Sequence, residues 1–524
     1  MTATARPGAH LAYREGSPLA LEADYIVVGS GSGGSPAALV LARAGYSVAL
    51  LEAGPWRDAD DYPATMLGVM RDLFPNWGAT VAVGNSILPI VQAQLVGGGT
   101  VINSAIMVRT PGDVVASWAS DHGLGDVLNP GNMGPALDRI ESELHVADSL
   151  EDTGAARFGG SNQRLLDGLR AGGLSAHPTR RNVRGCQGQS RCLQGCRLGA
   201  KQSSNIGWIP EVLSLGGTVL SCAPVQRVQI VDGRAVGVQG RFRHPQTRRA
   251  GARFIVRARR GVLLAASATG TAPLLQRSGV RSPALGRFWR AHPGAGIIGV
   301  YPDVIDMYEG VTQGTASIHH RGEHGLKLES LALPLELVAG RTSGGGKQLT
   351  ARLGDIRHQA MWISAVRAEA VGTVRQGRLG GVRVAYEPTR RDLERLRLGS
   401  ALLARTHFAQ GASRVRPGVV GLPFEIGPDE VHLLEQAPLH NRAWTWVLSH
   451  LFGGAVLGAD PNTSVVAPDL HVRGVRDLHV VDASALPTTL GVNPQHTIMA
   501  VAWIIADRLA NDDRTRTKSA SKRD

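Results

Sequence analysis

Three glycines and one acid near the start of the chain have the types and spacing needed to bind a dinucleotide. Gly29, Gly31 and Gly34 form a G-x-G-x-x-G motif, and Glu52 follows 23 positions after the first of them. Glycines let the backbone approach a pyrophosphate, and an acid at this distance accepts hydrogen bonds from ribose hydroxyls. The glycine motif alone is a weak signal, so the elements that flank it decide its meaning.

The flanking residues predict a complete βαβ unit. Residues 25–28 and 47–51 are short apolar runs typical of buried parallel strands, and residues 37–44 predict a helix that ends at Gly45. Pro36 fits the first helical turn, where its missing N–H costs little. Because the start of a helix stabilises phosphate charge, we interpret the whole unit as a nucleotide-binding site.

Composition indicates a globular protein and limits its partners. The 524 residues are 43% hydrophobic and 19% charged, which is enough to bury a large core. Fifty-six basic and 43 acidic residues give a net charge of +13, but the basic residues form no stripe interleaved with aromatics. We therefore expect no nucleic-acid partner.

The two ends and the apolar runs predict where the protein resides. Residues 1–23 carry charges and no apolar core, so they predict an N-terminal extension and not a signal peptide. No apolar run approaches the roughly 18 residues of a membrane span. Four cysteines are too few for a disulfide framework, so we expect a cytoplasmic protein. Residues 511–524 predict a basic, disordered tail.

Three cysteines lie close together in the sequence. Cys186, Cys192 and Cys196 have the spacing C-x5-C-x3-C. Thiolates so placed could ligate an iron–sulfur cluster, form a disulfide within the loop, or pack as reduced thiols. We expect reduced thiols without a cluster and assign no metal ligands, while the other two states stay open.

The middle of the chain predicts a second region. Residues 261–280 repeat the design of a buried strand, a small-residue turn and a helix. From about residue 297 the pattern changes to longer strands, near 316–335, 359–374 and 381–386, followed by an amphipathic helix over 389–411. This pattern predicts an α/β protein in which a Rossmann-like nucleotide-binding domain carries an inserted domain built on an antiparallel or mixed sheet with helices.

Four blocks of sequence together resemble one family, the glucose–methanol–choline (GMC) oxidoreductases. They are the glycine motif followed by LLEAGP, the segment GGGTVINS at 97–104, the segment AASATGTAPLLQRSG from residue 265, and H-x-x-G-G…VVDASALPTTLGVNPQHTIMA from His450. The resemblance covers nearly the whole chain. It implies bound FAD rather than NAD, and oxidation of an alcohol.

The resemblance also implies a role for each matching residue. The ADP half of FAD would be held by Gly29, Gly31, Gly34 and Glu52, the adenine by the backbone of Val225, the diphosphate and flavin by Gly98 and Asn103, the ribityl–phosphate region by Asp482, and the flavin ring by Asn493 and Pro494. Members with covalent flavin have a histidine where this chain has Ile102, so the FAD is expected to be non-covalent.

His450 and Asn493 resemble the catalytic pair of the branch that contains cholesterol oxidase and long-chain-alcohol oxidases. A histidine can accept the hydroxyl proton near neutral pH, and a carboxamide can hold the substrate oxygen. We therefore expect His450 as the base and Asn493 as its partner. His496 lies beside the same turn and is a further candidate for the pocket.

The resemblance implies the following division and function. The FAD-binding domain comprises residues 24–115, 197–296 and 450–510, and the substrate region comprises residues 116–196 and 297–449. The expected reaction converts an alcohol to an aldehyde or ketone by hydride transfer to flavin, with O₂ or another electron acceptor. The first expectation is an oxidase of a sugar-like hydroxymethyl alcohol, such as an aminoglycoside in antibiotic biosynthesis. The alternatives are a long-chain or steroid alcohol oxidase, an acceptor-linked dehydrogenase, and a GMC-type lyase.

Overall fold

The computed structural model describes residues 8–377 and 381–520. In these ranges the strands form one large mixed sheet, one large antiparallel sheet and two small sheets. The strands are β1 (Ala9–Leu11), β2 (Leu19–Val28), β3 (Val48–Leu51), β4 (Val81–Val83), β5 (Ile87–Pro89), β6 (Val146–Asp148), β7 (His177–Pro178), β8 (Arg180–Asn182), β9 (Thr218–Leu220), β10 (Val225–Val231), β11 (Arg234–Arg243), β12 (Ala250–Leu264), β13 (Arg290–Val300), β14 (Thr315–Ser317), β15 (Leu326–Ser330), β16 (Gln359–Val366), β17 (Thr373–Gln376), β18 (Val382–Ala385), β19 (Arg414–Arg416), β20 (Val447–Phe452) and β21 (Leu478–Val480).

Helices connect these strands and cover the sheets. None of the described helices combines the length and apolar character needed to cross a bilayer. The helices are α1 (Gly34–Arg43), α2 (Met66–Asp72), α3 (Gly99–Ile102), α4 (Gly112–Asp121), α5 (Pro130–Glu143), α6 (Ser149–Thr153), α7 (Ala155–Phe158), α8 (Gly160–Ala171), α9 (Ser204–Gly207), α10 (Ile209–Ser214), α11 (Thr271–Arg277), α12 (Arg321–His324), α13 (Leu335–Arg341), α14 (Gly346–Gly354), α15 (Arg390–Ala409), α16 (Val431–Glu435) and α17 (Gln495–Ala520).

The first large sheet has eight strands in the order β1-β9-β3-β2-β12-β11-β10, with β21 paired to β12. The pairs of β2 with β3 and with β12 are parallel, and α1 crosses between β2 and β3. Strand β3 and the carboxyl-terminal half of β2 are buried, as the apolar runs predicted. The predicted Rossmann-like α/β fold is therefore confirmed.

The second large sheet has seven strands in the order β19-β13-β16-β15-β14-β7, with β20 paired to β13, and its pairs are antiparallel. Helix α15 begins after Thr389, whose side chain accepts a hydrogen bond from the Asp392 backbone, close to the predicted start. The strand predicted over 316–335 is interrupted. Helix α12 separates β14 from β15 and ends at Gly325, whose φ of +63° favours glycine.

The structure shifts the predicted boundaries. The boundaries at 296/297 and 449/450 fall inside β13 and β20, which pair with each other, so the second sheet comprises strands between Arg290 and Phe452 together with β7. Helix α5, predicted with the substrate region, packs on α17. Strand β1 and the start of β2 extend the first sheet into residues 9–23, which were predicted as a separate extension.

The carboxyl-terminal end also differs from the prediction. Helix α17 continues to Ala520, so residues 511–520 are helical and not a disordered tail. The Asp507 and Asn511 side chains are hydrogen-bonded within this helix. The rest of the predicted tail, 521–524, and the first seven residues of the predicted extension lie outside the described residues.

Candidate active site

A cavity of about 1370 Å³ lies between the two large sheets. It brings together almost all the residues that the sequence singled out, from positions far apart in the chain. The predicted residues that line it are Gly29, Gly31, Glu52, Gly98, Ile102, Asn103, Val225, His450, Asp482, Asn493 and Pro494. Gly34 is missing from this lining, and its role differs from the predicted one.

Gly34 allows the first strand and helix to pack closely. It begins α1 and is buried, and a Cβ atom placed on it would lie 1.7 Å from the Gly29 carbonyl oxygen. A side chain at this position would therefore push α1 away from β2. We attribute Gly34 to strand–helix packing, which the close approach requires, and not to contact with a ligand.

The two glycine-rich loops meet at the floor of the cavity. Gly98 has a φ of +53°, and a Cβ atom on it would lie 2.9 Å from the Gly31 Cα atom. The Ser30 hydroxyl links the same loops, because it accepts from the Gly97 N–H at 2.9 Å and donates to Glu52 at 2.7 Å. The sequence did not single out Ser30, which occupies a variable position of the motif. The result is a bare backbone surface that a diphosphate can approach.

Glu52 lies at the end of β3, as predicted. Its carboxylate also accepts hydrogen bonds from the backbone of Ser30 at 3.1 Å and of Gly54 at 3.0 Å. Burial raises the pKa of Glu52, and these hydrogen bonds oppose that rise. The acid is thus held rigidly at the wall of the cavity, where it can accept from a ribose hydroxyl.

Asp482 holds a neighbouring loop in place. Its carboxylate accepts from the Ser267 backbone at 2.8 Å, the Thr271 hydroxyl at 2.6 Å and the Ser484 backbone at 2.8 Å. Burial raises the pKa of Asp482 despite these hydrogen bonds. The carboxylate therefore fixes the turn before α11 against the turn after β21, and both turns line the cavity.

His450 and Asn493 meet at the cavity wall from different elements. His450 lies on β20 of the second sheet, whereas Asn493 lies in the turn before α17. The His450 Nε2 and Asn493 Nδ2 atoms are 3.3 Å apart. Burial lowers the pKa of His450 to about 4, with Glu329 opposing this effect and Lys327 adding to it. The two predicted catalytic residues are therefore adjacent, and His450 is uncharged at neutral pH.

A second histidine lies behind His450. His292, on β13, has its Nδ1 atom 3.3 Å from the Nδ1 atom of His450. Its Nε2 atom accepts from the Gly491 backbone N–H at 3.0 Å. Burial lowers the pKa of His292 well below its usual value. In contrast, His496 lies outside the cavity lining and is hydrogen-bonded to the Leu137 carbonyl, so the suggestion that it lines the pocket was wrong.

An ion pair lies behind Asn493. The Lys327 ammonium is 2.5 Å from a Glu329 carboxylate oxygen and also donates to the Asn493 carboxamide oxygen. Both charged side chains are almost fully buried, with 3% and 2% exposed. They are two positions apart on β15, so they face the same side of the sheet. The sequence offered one signal that was overlooked, because charges alternate with apolar residues in LKLES.

One group of the residues that line the cavity is apolar. Strand β16 contributes Met361 and Ile363, helix α13 contributes Leu337, and the connection between β15 and α13 contributes Leu331 and Leu333. The lining residues Met66, Met70, Phe74 and Trp77 come from α2 and the turn after it, and Leu337 packs against the cluster that contains Met66 and Phe74. These residues favour an apolar ligand.

The cysteine loop surrounds a buried arginine. The Arg181 guanidinium is 3.1 Å from the Cys192 sulfur and 3.8 Å from the Cys186 sulfur, and all four cysteines are free. Burial opposes the Cys192 thiolate, but Arg181 and Lys201 outweigh it and lower the pKa of the thiol. The Lys201 ammonium donates to the backbone carbonyls of Val101 and Asn103, so this loop supports the second glycine loop.

The comparisons with known proteins assign the family. Models of the GMC oxidoreductase family match residues 70–294 and 371–502. An uncharacterized GMC-type oxidoreductase of Mycobacterium tuberculosis is 33% identical over 96% of this chain and 78% of its own length. A long-chain-alcohol oxidase of Arabidopsis thaliana is 28% identical over 98% of this chain and 70% of its own length. The crystal structure of pyridoxine 4-oxidase from Mesorbium loti has a TM-score of 0.70 at 16% identity, covering 93% of this chain and 98% of that one.

The chain belongs to the GMC oxidoreductase family and is an FAD-dependent oxidoreductase. The family resemblance and the FAD expected from the sequence are thereby confirmed. The site fits the cofactor, because the bare glycine loops leave room for a diphosphate and the adjacent Glu52 can accept from a ribose. When bound, FAD supplies a hydride acceptor for the oxidation of an alcohol.

Proposed function

We propose that His450 and Asn493 hold the hydroxyl of an alcohol while FAD accepts a hydride from its carbon. The observation that carries this proposal is the 3.3 Å distance between His450 Nε2 and Asn493 Nδ2 on the wall of the cavity. Two polar nitrogen atoms at this spacing can both contact one oxygen atom. The backbone at both residues is rigid, which supports this role. His450 lies on β20, which pairs with β13, and Asn493 lies directly before helix α17.

The substrate class we propose is a long-chain or other apolar alcohol. The apolar lining residues support it, because α2 contributes Met66 and Met70, the turn after α2 contributes Phe74 and Trp77, and α13 and β16 contribute Leu337, Met361 and Ile363. The similarity to a long-chain-alcohol oxidase points in the same direction. The sugar-like alcohol, which was the first expectation from the sequence, is the second candidate. It is favoured by the polar side chains of Gln313 and Glu329 in the same cavity.

We further propose that the FAD is non-covalent and that O₂ reoxidises it. The first part is supported by the aliphatic side chain of Ile102, which lines the cavity and cannot form the covalent link. The second part is supported by the similarity to an oxidase over nearly the whole chain. Acid precipitation should release the flavin into the supernatant, and yellow colour in the pellet would contradict non-covalent binding.

The test of the function is an anaerobic panel of alcohols with flavin absorbance as the signal. We expect primary alcohols of about ten or more carbons to bleach the flavin faster than ethanol or sugar-like hydroxymethyl compounds. Faster bleaching by the sugar-like compounds would favour the second candidate. Cleavage of a cyanohydrin without bleaching would indicate a lyase instead. Peroxide formation after admission of air separates an oxidase from a dehydrogenase.

A further inference from the structure

Three side chains at helix α12 have the types and spacing of a metal site. His320 directly precedes the helix, and Glu323 and His324 lie on it, so the sequence is H-x-x-E-H. One nitrogen atom of each histidine and one carboxylate oxygen of Glu323 all lie within 4.8 Å of one another. It is the one group of this kind in the part of the chain that the structure describes. The sequence had assigned no metal ligands here.

The backbone of α12 holds the two histidines on one face. The His324 N–H donates to the His320 carbonyl at 3.0 Å, which closes one helical turn. Residues three and four positions apart on a helix are neighbours on its surface. The ring centroids of His320 and His324 are accordingly 5.3 Å apart, and the His324 Nε2 atom is 3.4 Å from a Glu323 oxygen. The three ligand atoms therefore converge without any change of the backbone.

This set of ligands suits zinc. Two imidazoles and a carboxylate are ligands that Zn²⁺ and similar divalent ions prefer. Bonds of about 2.0–2.2 Å place the ligand atoms of a tetrahedral ion about 3.3–3.6 Å apart. The Glu323 side chain is 78% exposed and the His324 side chain 36%, so small rotations bring the atoms to this spacing. Three protein ligands leave the fourth position to water.

His319, next to His320, is not a fourth ligand. Its Nδ1 atom accepts from the Ser175 N–H at 3.2 Å, so a neutral His319 carries its proton on Nε2 and has no free lone pair. Its ring packs edge-on against the His320 ring at a centroid distance of 4.9 Å. His319 is therefore a matched control for its neighbour, because it lies in the same place without being able to bind an ion.

The opposite face of α12 holds a turn of the active site. Arg321 is buried and donates to the Leu490 carbonyl at 2.9 and 2.7 Å. Its charge is balanced by a bidentate pair with Asp113 at 2.9 and 3.1 Å. A Cβ atom on Gly491 would lie 3.0 Å from the Arg321 Nε atom, so the turn packs directly on this side chain. Asn493 follows two positions later, and the order of α12 is thereby linked to the turn that carries it.

We propose that His320, Glu323 and His324 bind one Zn²⁺ ion, and that the ion stabilises α12 and, through Arg321, the turn that carries Asn493. A helix of four residues is too short to be stable by itself. An ion that joins its two ends binds only the helical form and therefore favours it by mass action. This inference concerns a second site and does not depend on which alcohol the enzyme oxidises.

The binding test is isothermal titration of Zn²⁺ into tag-free, chelator-treated protein that retains FAD. The background is Cys192→Ser, because the thiolate of the cysteine loop could compete for the ion. We expect one ion per chain. Adding His320→Gln or His324→Gln should weaken binding by at least about 10–100-fold, the loss that even outer-shell changes cause at metal sites. Adding His319→Gln should leave the affinity unchanged.

Two results of the titration would overturn the site. One is the absence of Zn²⁺ binding in the background protein. The other is an affinity that stays the same in His320→Gln and His324→Gln, which would place the ion elsewhere on the chain.

The link to the active site is measured by hydrogen exchange of the wild type with FAD, with and without Zn²⁺. We expect the ion to slow exchange in peptides covering residues 318–330 and 488–494, and to have no effect on either in His324→Gln. Peptides covering α16, which carries the exposed His432, are the control. Protection of neither segment would overturn the site, and protection of 318–330 alone would overturn the link through Arg321.

Discussion

At the scale of single residues, the buried Lys327–Glu329 pair makes the stability of the fold depend on both charges being present. Both side chains are nearly inaccessible, so neither charge can be compensated by water if its partner is removed. Lys327→Met should therefore lower the free energy of unfolding by about 3–5 kcal/mol. The measurement is urea unfolding followed by circular dichroism.

The matched control for Lys327→Met is the double variant Lys327→Met/Glu329→Gln. It leaves no uncompensated charge, so it should recover most of the lost stability while staying catalytically impaired. A double variant as unstable as Lys327→Met would show that lost packing, and not the unpaired charge, causes the effect.

Glu52 offers a second test at this scale, on cofactor binding. Glu52→Ala removes a charged acceptor for the ribose and the partner of the Ser30 hydroxyl. The affinity for FAD should fall by about 1–3 kcal/mol, as measured by flavin fluorescence during titration of the flavin-free protein. Glu22→Ala, an exposed acid on β2, is the control. Unchanged affinity in Glu52→Ala would remove Glu52 from the cofactor site.

Sequence patterns predicted the residues that belong to local motifs and missed those that act through space. Gly31, Glu52 and Asn493 stand in recognisable motifs, so they could be identified without coordinates. His292, Lys327 and Ser30 have no such context, because their roles come from partners up to 199 positions away. A lone histidine or an alternating Lys-x-Glu does not reveal its neighbours.

At the scale of elements, the cysteine loop is organised by a cation. Arg181 donates toward two of the sulfur atoms, and Lys201 donates to the backbone carbonyl of Cys192 at 2.8 Å. These cations stabilise a thiolate without a metal ion. We therefore expect metal analysis of anaerobically purified protein to find no iron above background, and Cys192→Ser to retain flavin.

An iron–sulfur cluster in the cysteine loop would contradict this prediction. About three irons per flavin, lost in Cys192→Ser, would establish a cluster of the kind that three cysteines can bind. It would also move the enzyme toward the acceptor-linked dehydrogenases that the sequence left open.

The predictability of elements depended on their periodicity. Strands β2 and β3 and helix α15 have strong apolar patterns and capping signals, and they lie close to the predicted positions. The prediction of a long strand over 316–335 was wrong because the segment is apolar on both sides of helix α12. This helix has too few residues to show a helical period. Residues at the end of α17 were predicted to be disordered because their composition is polar. Their helix propensity is nevertheless sufficient for the helix to continue.

At the scale of the whole molecule, the active site exists only where the two sheets meet. The first sheet contributes the glycine loops and Asn493 through its connections, while the second sheet contributes His450, His292 and Glu329. The family resemblance predicted both halves, but the pairing of β13 with β20 placed His450 in the second sheet. Pairing across 158 positions is a tertiary property that local patterns do not encode.

The histidines buried throughout the molecule predict how its stability depends on pH. Burial lowers the pKa values of His450, His479 and His496 to about 4, and those of His292 and His407 well below their usual range. In the unfolded chain these groups titrate near 6.5, so between about pH 6.5 and 4 the unfolded state binds protons that the folded state excludes. Their contribution to stability is complete above pH 6.5 and decreases as the pH falls. The slope is about 1.4 kcal/mol per pH unit for each histidine.

The measurement is the midpoint of guanidinium unfolding with excess FAD at pH 7.5, 6 and 5, a window above the titration of most carboxylates. The five buried histidines should lower the unfolding free energy by up to about 7 kcal/mol per pH unit in the acidic half of this window. His496→Gln can still donate to the Leu137 carbonyl but does not titrate, so it should reduce the slope by about a fifth. His432→Gln, on the surface, should leave the slope unchanged. Stability that is flat from pH 7.5 to 5 would mean that these histidines are already protonated in the fold, which would also contradict a neutral His450 at the active site.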